Sequence, residues 1–93
     1  MFSPEILEEE LVDLATQVQE PKALILYNDE VNTFEFVTES LIKICRHDPL
    51  QAEQCTYLVH YTGKCAVKNG SFEKLRPLCQ ALLDRGLSAQ IEN

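Results

Sequence analysis

The sequence predicts an α+β domain: a three-stranded antiparallel sheet with three helices on one face, in the order β-α-α-β-α-β, plus an N-terminal helix or arm. Three observations lead there. Three short β-prone stretches, residues 22–27, 64–68 and 87–92, are separated by two helical patterns and then by one. Each helical pattern opens on a capping residue and closes on a turn or glycine signal. Strands followed by a helix pair need not alternate in strict βαβ units, which favours antiparallel pairing. At 93 residues, with 45% hydrophobic and 25% charged residues, the chain is one small soluble domain with a modest core.

Residues 3–18 read as a helix. Ser3 suits the N-cap and Pro4 the first helical position. Leu7, Leu11, Leu14 and Val18 make one apolar stripe. Residues 1–20 hold six acids and no Lys or Arg, out of a net charge of −7. The rest is nearly neutral, with nine acids against eight bases. Glu20-Pro21 ends the segment, because a residue before proline is pushed out of helical conformation. Residues 1–21 are thus an acidic arm and 22–93 the core domain. An acidic chain argues against nucleic acid as a partner. No apolar run reaches the ~18 residues of a membrane span, and the acidic start is unlike a secretory signal. The expected location is the cytoplasm.

KALILY, residues 22–27, reads as a strand apolar on both faces. Asn32 is the expected N-cap of a helix over 33–46, with Glu35 completing a capping box. Phe34, Val37, Leu41 and Ile44 form its stripe. Asp48-Pro49 restarts the chain as N-cap and first residue of a second helix ending at Gly63, with Ala52, Cys55, Leu58 and Val59 inward. A short strand over 64–68 precedes an Asn69-Gly70 turn, and Ser71 caps a third helix. Phe72, Leu75, Leu78, Cys79, Leu82 and Leu83 form its expected buried face. Pro77 inside it predicts a kink or a late start, and Gly86 closes it before the last strand.

Asn28, Asp29 and Glu30 follow the first strand. Read plainly, they are a solvated loop. In series they also offer many acceptors and few donors, which suits an ammonium group. If the first two helices are antiparallel neighbours, these acceptors and His60 rim an apolar hole, the anatomy of a small ligand site. Other chemistries have weaker signals. Cys45, His47, His60 and a second cysteine match no familiar zinc spacing. A Cys65–His60–Asp29 thiol site lacks an oxyanion-hole signature. The cysteines read as reduced, buried thiols. No enzyme activity, metal or cofactor is expected.

"LILYNDEVNTFEFV" at residues 24–37 and "VHYTGK" at residues 59–64 together resemble the ClpS adaptor family, the recognition module for N-terminal degradation signals. That family has a strand ending in Asn-Asp-Asp, a helix opening with Met-Glu-Phe-Val, and later Val-His-Tyr-x-Gly-Lys. The resemblance covers about residues 22–92. It implies binding of the α-amino group of a peptide whose first residue is bulky and hydrophobic, and delivery to a Clp AAA+ unfoldase through that partner's N-terminal domain. By the resemblance, Asn28, Asp29, Glu30 and His60 bind the amine. Asn32, Phe34, Val37, Thr56 and Val59 line the side-chain pocket, and Glu73 contacts the unfoldase. The chain departs from the pattern at Glu30, where the family has a second Asp, and at Phe34 and Thr56, where Met is common. Leu78 replaces a usual Lys. The alternative is a ClpS-like interaction domain, of the fold class also found in the ribosomal stalk protein's C-terminal domain, in which this chain binds another protein through its acidic arm or sheet face without recognising N-terminal degradation signals.

Overall fold

The computed structural model describes residues 21–93. They form β1 (Lys22–Tyr27), α1 (Phe34–Cys45), α2 (Pro49–Thr62), β2 (Lys64–Gly70), α3 (Phe72–Asp84) and β3 (Ser88–Glu92). The sheet order is β2-β1-β3, and both neighbours pair antiparallel to β1. The expected α+β architecture is therefore present. The helix and arm read over residues 1–20 lie outside the described residues.

β1 is central because it is the most apolar strand. Leu24 and Leu26 are fully buried on the helix side, while Ala23, Ile25 and Tyr27 on the other face are half-buried. Leu26 pairs with Cys65 and Ala89, and Leu24 with Ile91, so the alternation carries across the sheet. Leu41, Leu75 and Leu82 complete the dry centre of the core. Burying each such leucine is worth about 1.5–3 kcal/mol. A bulge shifts the β1–β2 register between Leu24 and Ile25.

Several boundaries differ from expectation. Thr33, not Asn32, caps α1: its hydroxyl accepts the Phe36 N–H at 3.1 Å. The cap must reach the third residue of a helix that starts at Phe34, and only Thr33 has that spacing. β2 runs through Asn69 and Gly70, which pair with Ala23 and Lys22, so there is no separate turn before Ser71. α3 is continuous from Phe72 through Pro77 to Asp84 and does not start late. Leu58, Phe72 and Leu83, expected inward, are 49%, 49% and 44% exposed. At ~100° per residue each sits ~60° or more around the helix from every residue of the stripes set by Ala52, Cys55, Thr56 and Val59 on α2 and by Leu75 and Leu82 on α3.

Two ties outside the helices matter for the site. α3 ends in a Schellman motif: Gly86, at φ 86°, donates to the Leu83 carbonyl at 2.9 Å and Leu87 to that of Leu82 at 3.0 Å. The Arg85 guanidinium then lies 4.7 Å from the centre of the Phe36 ring and donates to the buried Ser40 hydroxyl at 2.9 Å. This clamps the α3–β3 turn against α1. At the other corner, the buried His47 imidazole meets the Val67 carbonyl through Nε2 at 2.7 Å, holding the α1–α2 connection on β2.

Candidate functional site

The site begins where β1 stops. The Asn28 N–H donates to the Gly63 carbonyl at 2.9 Å, so the strand end is fastened to the end of α2. Gly63 takes φ 92°, a left-handed cap that reverses the chain one turn after His60. With the antiparallel pairing of Tyr27 and Lys64, that bond brings "NDE" and "VHY", distant in sequence, to one place.

Asp29 organises the loop. Its carboxylate accepts the Val31 N–H at 2.9 Å, the Asn32 N–H at 2.8 Å and the Asn32 side-chain amide at 2.8 Å. Desolvation pushes this carboxyl up. The hydrogen bonds from Asn32 and Val31, with a smaller electrostatic contribution from His60, outweigh it and hold the group below its ordinary 3.8. The second Asn32 amide hydrogen goes to the Gly86 carbonyl at 3.0 Å. Asn32 therefore bridges the β1–α1 loop to the α3–β3 turn, and through that turn Leu87 enters the site.

The result is a cleft lined by Asn28, Asp29, Asn32 and His60 at the rim and by Leu26, Val37, Thr56, Val59 and Leu87 inside, with Tyr27 at its edge. Seven residues singled out from sequence converge here: Asn28, Asp29, Asn32, Val37, Thr56, Val59 and His60. Glu30 does not line the cleft; it points into solvent at the next loop position. Phe34 is not part of the wall either. Its ring lies parallel to the His60 imidazole at 5.7 Å and tilted on Tyr57 at 4.8 Å, so it packs on a rim residue without lining the cleft. Glu73 is exposed in the first turn of α3, away from the cleft. Leu26, Tyr27 and Leu87 were not expected. Leu26 and Leu87 look in sequence like ordinary core residues, and only the loop bridge turns them into a lining.

The innermost wall is partly polar. Thr56 is fully buried; its hydroxyl donates to the Ala52 carbonyl at 2.8 Å and pairs with Thr38 at 2.9 Å. The free void is only about 10 Å³, the room of a single water. The arrangement can offer acceptors to a small cation at its rim and apolar surface within.

The competing chemistries find no support in this geometry. Cys65 is buried, and burial together with a contact to Cys55 pushes its thiol up to about 12, so it keeps its proton at neutral pH. Burial likewise pushes the Cys45 thiol up to about 11. His47 is in the core on Val67 and His60 is at the cleft, and among the described residues no three metal-ligating side chains gather. No described helix is long and apolar enough to cross a membrane.

Comparison with known proteins agrees with this fold and loop pattern. The family described as "ATP-dependent Clp protease adaptor protein ClpS" matches residues 17–90. A ClpS adapter protein of Corynebacterium aurimucosum is 30% identical over 92 residues, covering 99% of this chain and 83% of that one. Its counterpart from Corynebacterium diphtheriae is 28% identical, covering 99% and 81%. Among solved structures, Agrobacterium tumefaciens ClpS2 bound to L-phenylalaninamide has the same fold, with a TM-score of 0.75 at 20% identity over 78% of this chain and 95% of that one. The family match spans most of the chain and includes both motifs that build the cleft, so this chain belongs to the ClpS family of adaptor proteins of the ATP-dependent Clp protease.

Proposed function

We propose that the cleft captures the free N-terminus of a peptide with a bulky hydrophobic first residue, for delivery to a Clp AAA+ unfoldase. The observation that carries this reading is the convergence of Asn28, Asp29 and His60 on the rim of an apolar cleft. A primary ammonium carries three N–H donors, and an amide oxygen, a carboxylate and a neutral imidazole are three acceptors. Asp29 spends three of its roughly four lone-pair sites on the loop. Its part is therefore to fix the loop and lend negative charge, leaving the direct contacts mainly to Asn28 and His60. Glu30, exposed beside them, adds to the negative potential. The solved ClpS2 complex holds an amino-acid amide with a free amine and an aromatic side chain, which is the chemistry this cleft would take.

A void of about 10 Å³ does not admit a leucine or phenylalanine side chain; a benzene-sized guest needs about 150 Å³. Binding thus requires the lining side chains, Val37 and Val59 among them, to part. Burial of the guest, worth about 1.5–3 kcal/mol, drives that opening. Glu73, exposed at the start of α3, is the proposed unfoldase contact.

The test is fluorescence anisotropy with a Leu-initiated peptide and its N-acetylated twin. The free peptide should bind at least tenfold more tightly. His60→Ala, and acidification that protonates the imidazole, should both weaken it, because an imidazolium repels an ammonium. Equal binding of the two peptides defeats the reading.

A further inference from the structure

α3 carries a second stripe that the cleft leaves without a role. Phe72, Arg76, Cys79 and Leu83 follow one another at i, i+4, i+7 and i+11, and Phe72 and Leu83 are half-exposed. With Ala89 and Ile91 of β3 they line an open groove of about 300 Å³. β3 is an edge strand among the described residues, so no further strand closes that side. Arg76 is exposed and is the one charged side chain in the lining.

The chain enters the described domain at one end of this groove. Lys22 pairs with Gly70, two residues before Phe72, and Ala23 pairs with Glu92, next to Ile91. Residues 1–20 therefore join the domain at the Phe72–Ile91 end, and Leu83 with Ala89 marks the other. In sequence they read as an amphipathic helix. Its stripe of Leu7, Leu11, Leu14 and Val18 has the same i, i+4, i+7, i+11 spacing as the groove stripe. Each stripe is ~17 Å long at ~1.5 Å per residue. Laid antiparallel, they match position by position: Val18 at the level of Phe72, Leu14 of Arg76, Leu11 of Cys79 and Leu7 of Leu83. The stretch from Val18 to Lys22 spans up to ~13 Å, enough to reverse direction. Charge agrees as well. Residues 1–20 hold six acids and no Lys or Arg, and Glu10, one turn before Leu14, flanks the stripe at the level of Arg76.

We propose that residues 7–18 dock as a helix in the α3–β3 groove of their own chain, antiparallel to α3, with Glu10 paired to Arg76. The four apolar residues of the arm would cover Phe72, Cys79 and Leu83, and this packing is what a short helix needs to persist. The Arg76 stem would lie on Leu14 while its guanidinium reaches the Glu10 carboxylate. A short tether holds the arm at about millimolar effective concentration, which favours the chain's own arm over that of a second copy. The docking is independent of what the cleft binds.

Cys79 supplies a reporter, because it is partly exposed in the groove while Cys45, Cys55 and Cys65 are buried. In the full chain, iodoacetamide modification of Cys79, read by mass spectrometry, should speed up at least about fivefold in a Leu11→Ser/Leu14→Ser variant, and the amides of residues 7–18 should lose their protection from hydrogen exchange. Arg76→Glu and Glu10→Arg should each raise exchange of those amides by about twofold to fivefold, and the two together should restore the wild-type rate. Both readouts should be independent of protein concentration. Unprotected arm amides in the wild type, or a Cys79 rate that the serine pair leaves unmoved, would overturn the docking. Charge variants whose effects add without rescue would refute the Glu10–Arg76 pairing and its register. Protection that appears only as concentration rises would put a second copy's arm in the groove and defeat the intramolecular form.

Discussion

Asp29 is held by its own loop. Three donors within the loop satisfy it, and they hold its carboxyl below the ordinary value. A carboxyl lowered on folding adds stability above its ordinary pKa and loses that contribution as pH falls through the folded value. Since the group is largely solvent-facing, the effect is about 0.5 kcal/mol or less. Asp29→Asn should therefore melt below the wild type at pH 6, and the gap should narrow as pH drops below about 4. Melting curves that stay parallel from pH 6 to pH 2.5 would show that the loop bonds do not depend on the charge. The acceptor cluster was legible in sequence because three polar residues end an apolar strand. Its division of labour was not: Glu30 and Asp29 look alike in the chain, yet only Asp29 turns inward. Phe34 was legible as a contact with the site, but its position over His60 depends on the capping choice between Asn32 and Thr33.

At the scale of elements, α3 is the informative case. Its caps follow the rules: the Ser71 hydroxyl accepts the Lys74 N–H at 3.3 Å, and Gly86 closes the far end. Pro77 breaks them, sitting as the sixth helical residue and deleting the bond its N–H would make to the Glu73 carbonyl. The helix persists because Leu75 and Leu82, on either side, are fully buried; packing outweighs propensity. Pro77 is itself exposed, so Pro77→Ala should stabilise the domain by about 1–3 kcal/mol, a rise of several degrees or more in Tm. An unchanged or lower midpoint in urea would mean that proline's restriction of the unfolded chain offsets the lost bond. Strand and helix order were readable from periodicity. The exposed Leu58, Phe72 and Leu83 were not assigned correctly, because a helix with leucines on several sides does not announce which stripe meets the sheet.

Across the whole molecule, the cleft is held by contacts between distant segments. Arg85 packs on Phe36 and bonds Ser40, Asn32 reaches Gly86, and Asn28 reaches Gly63. Together they bring Leu87 into one lining with Val37 and Val59. Arg85→Met keeps an apolar stem over Phe36 but removes the donor to the buried Ser40 oxygen, whose own O–H stays on the Phe36 carbonyl at 2.7 Å, and frees the turn. It should cost about 1–2 kcal/mol of stability. It should also weaken Leu-peptide binding, although Arg85 does not line the cleft. Chemical denaturation and anisotropy on the same variant separate the two effects. Wild-type affinity in a destabilised variant would show that the turn does not position the pocket.

The sequence by itself determined the element order, the three capped helices and the two motifs that carry the family, because strand alternation, helix stripes and capping residues act over a few neighbouring positions. It also located the polar rim, since acceptors at the end of a buried strand must face either water or a ligand. Only the tertiary structure decided which acceptors remain available, that Leu26 and Leu87 join the wall, and that Phe34 stacks on His60 instead of lining the cleft. Those outcomes depend on bonds between residues 28 and 63, 32 and 86, and 40 and 85. Such bonds form only once the sheet has brought their partners together, and no local pattern in the chain encodes them.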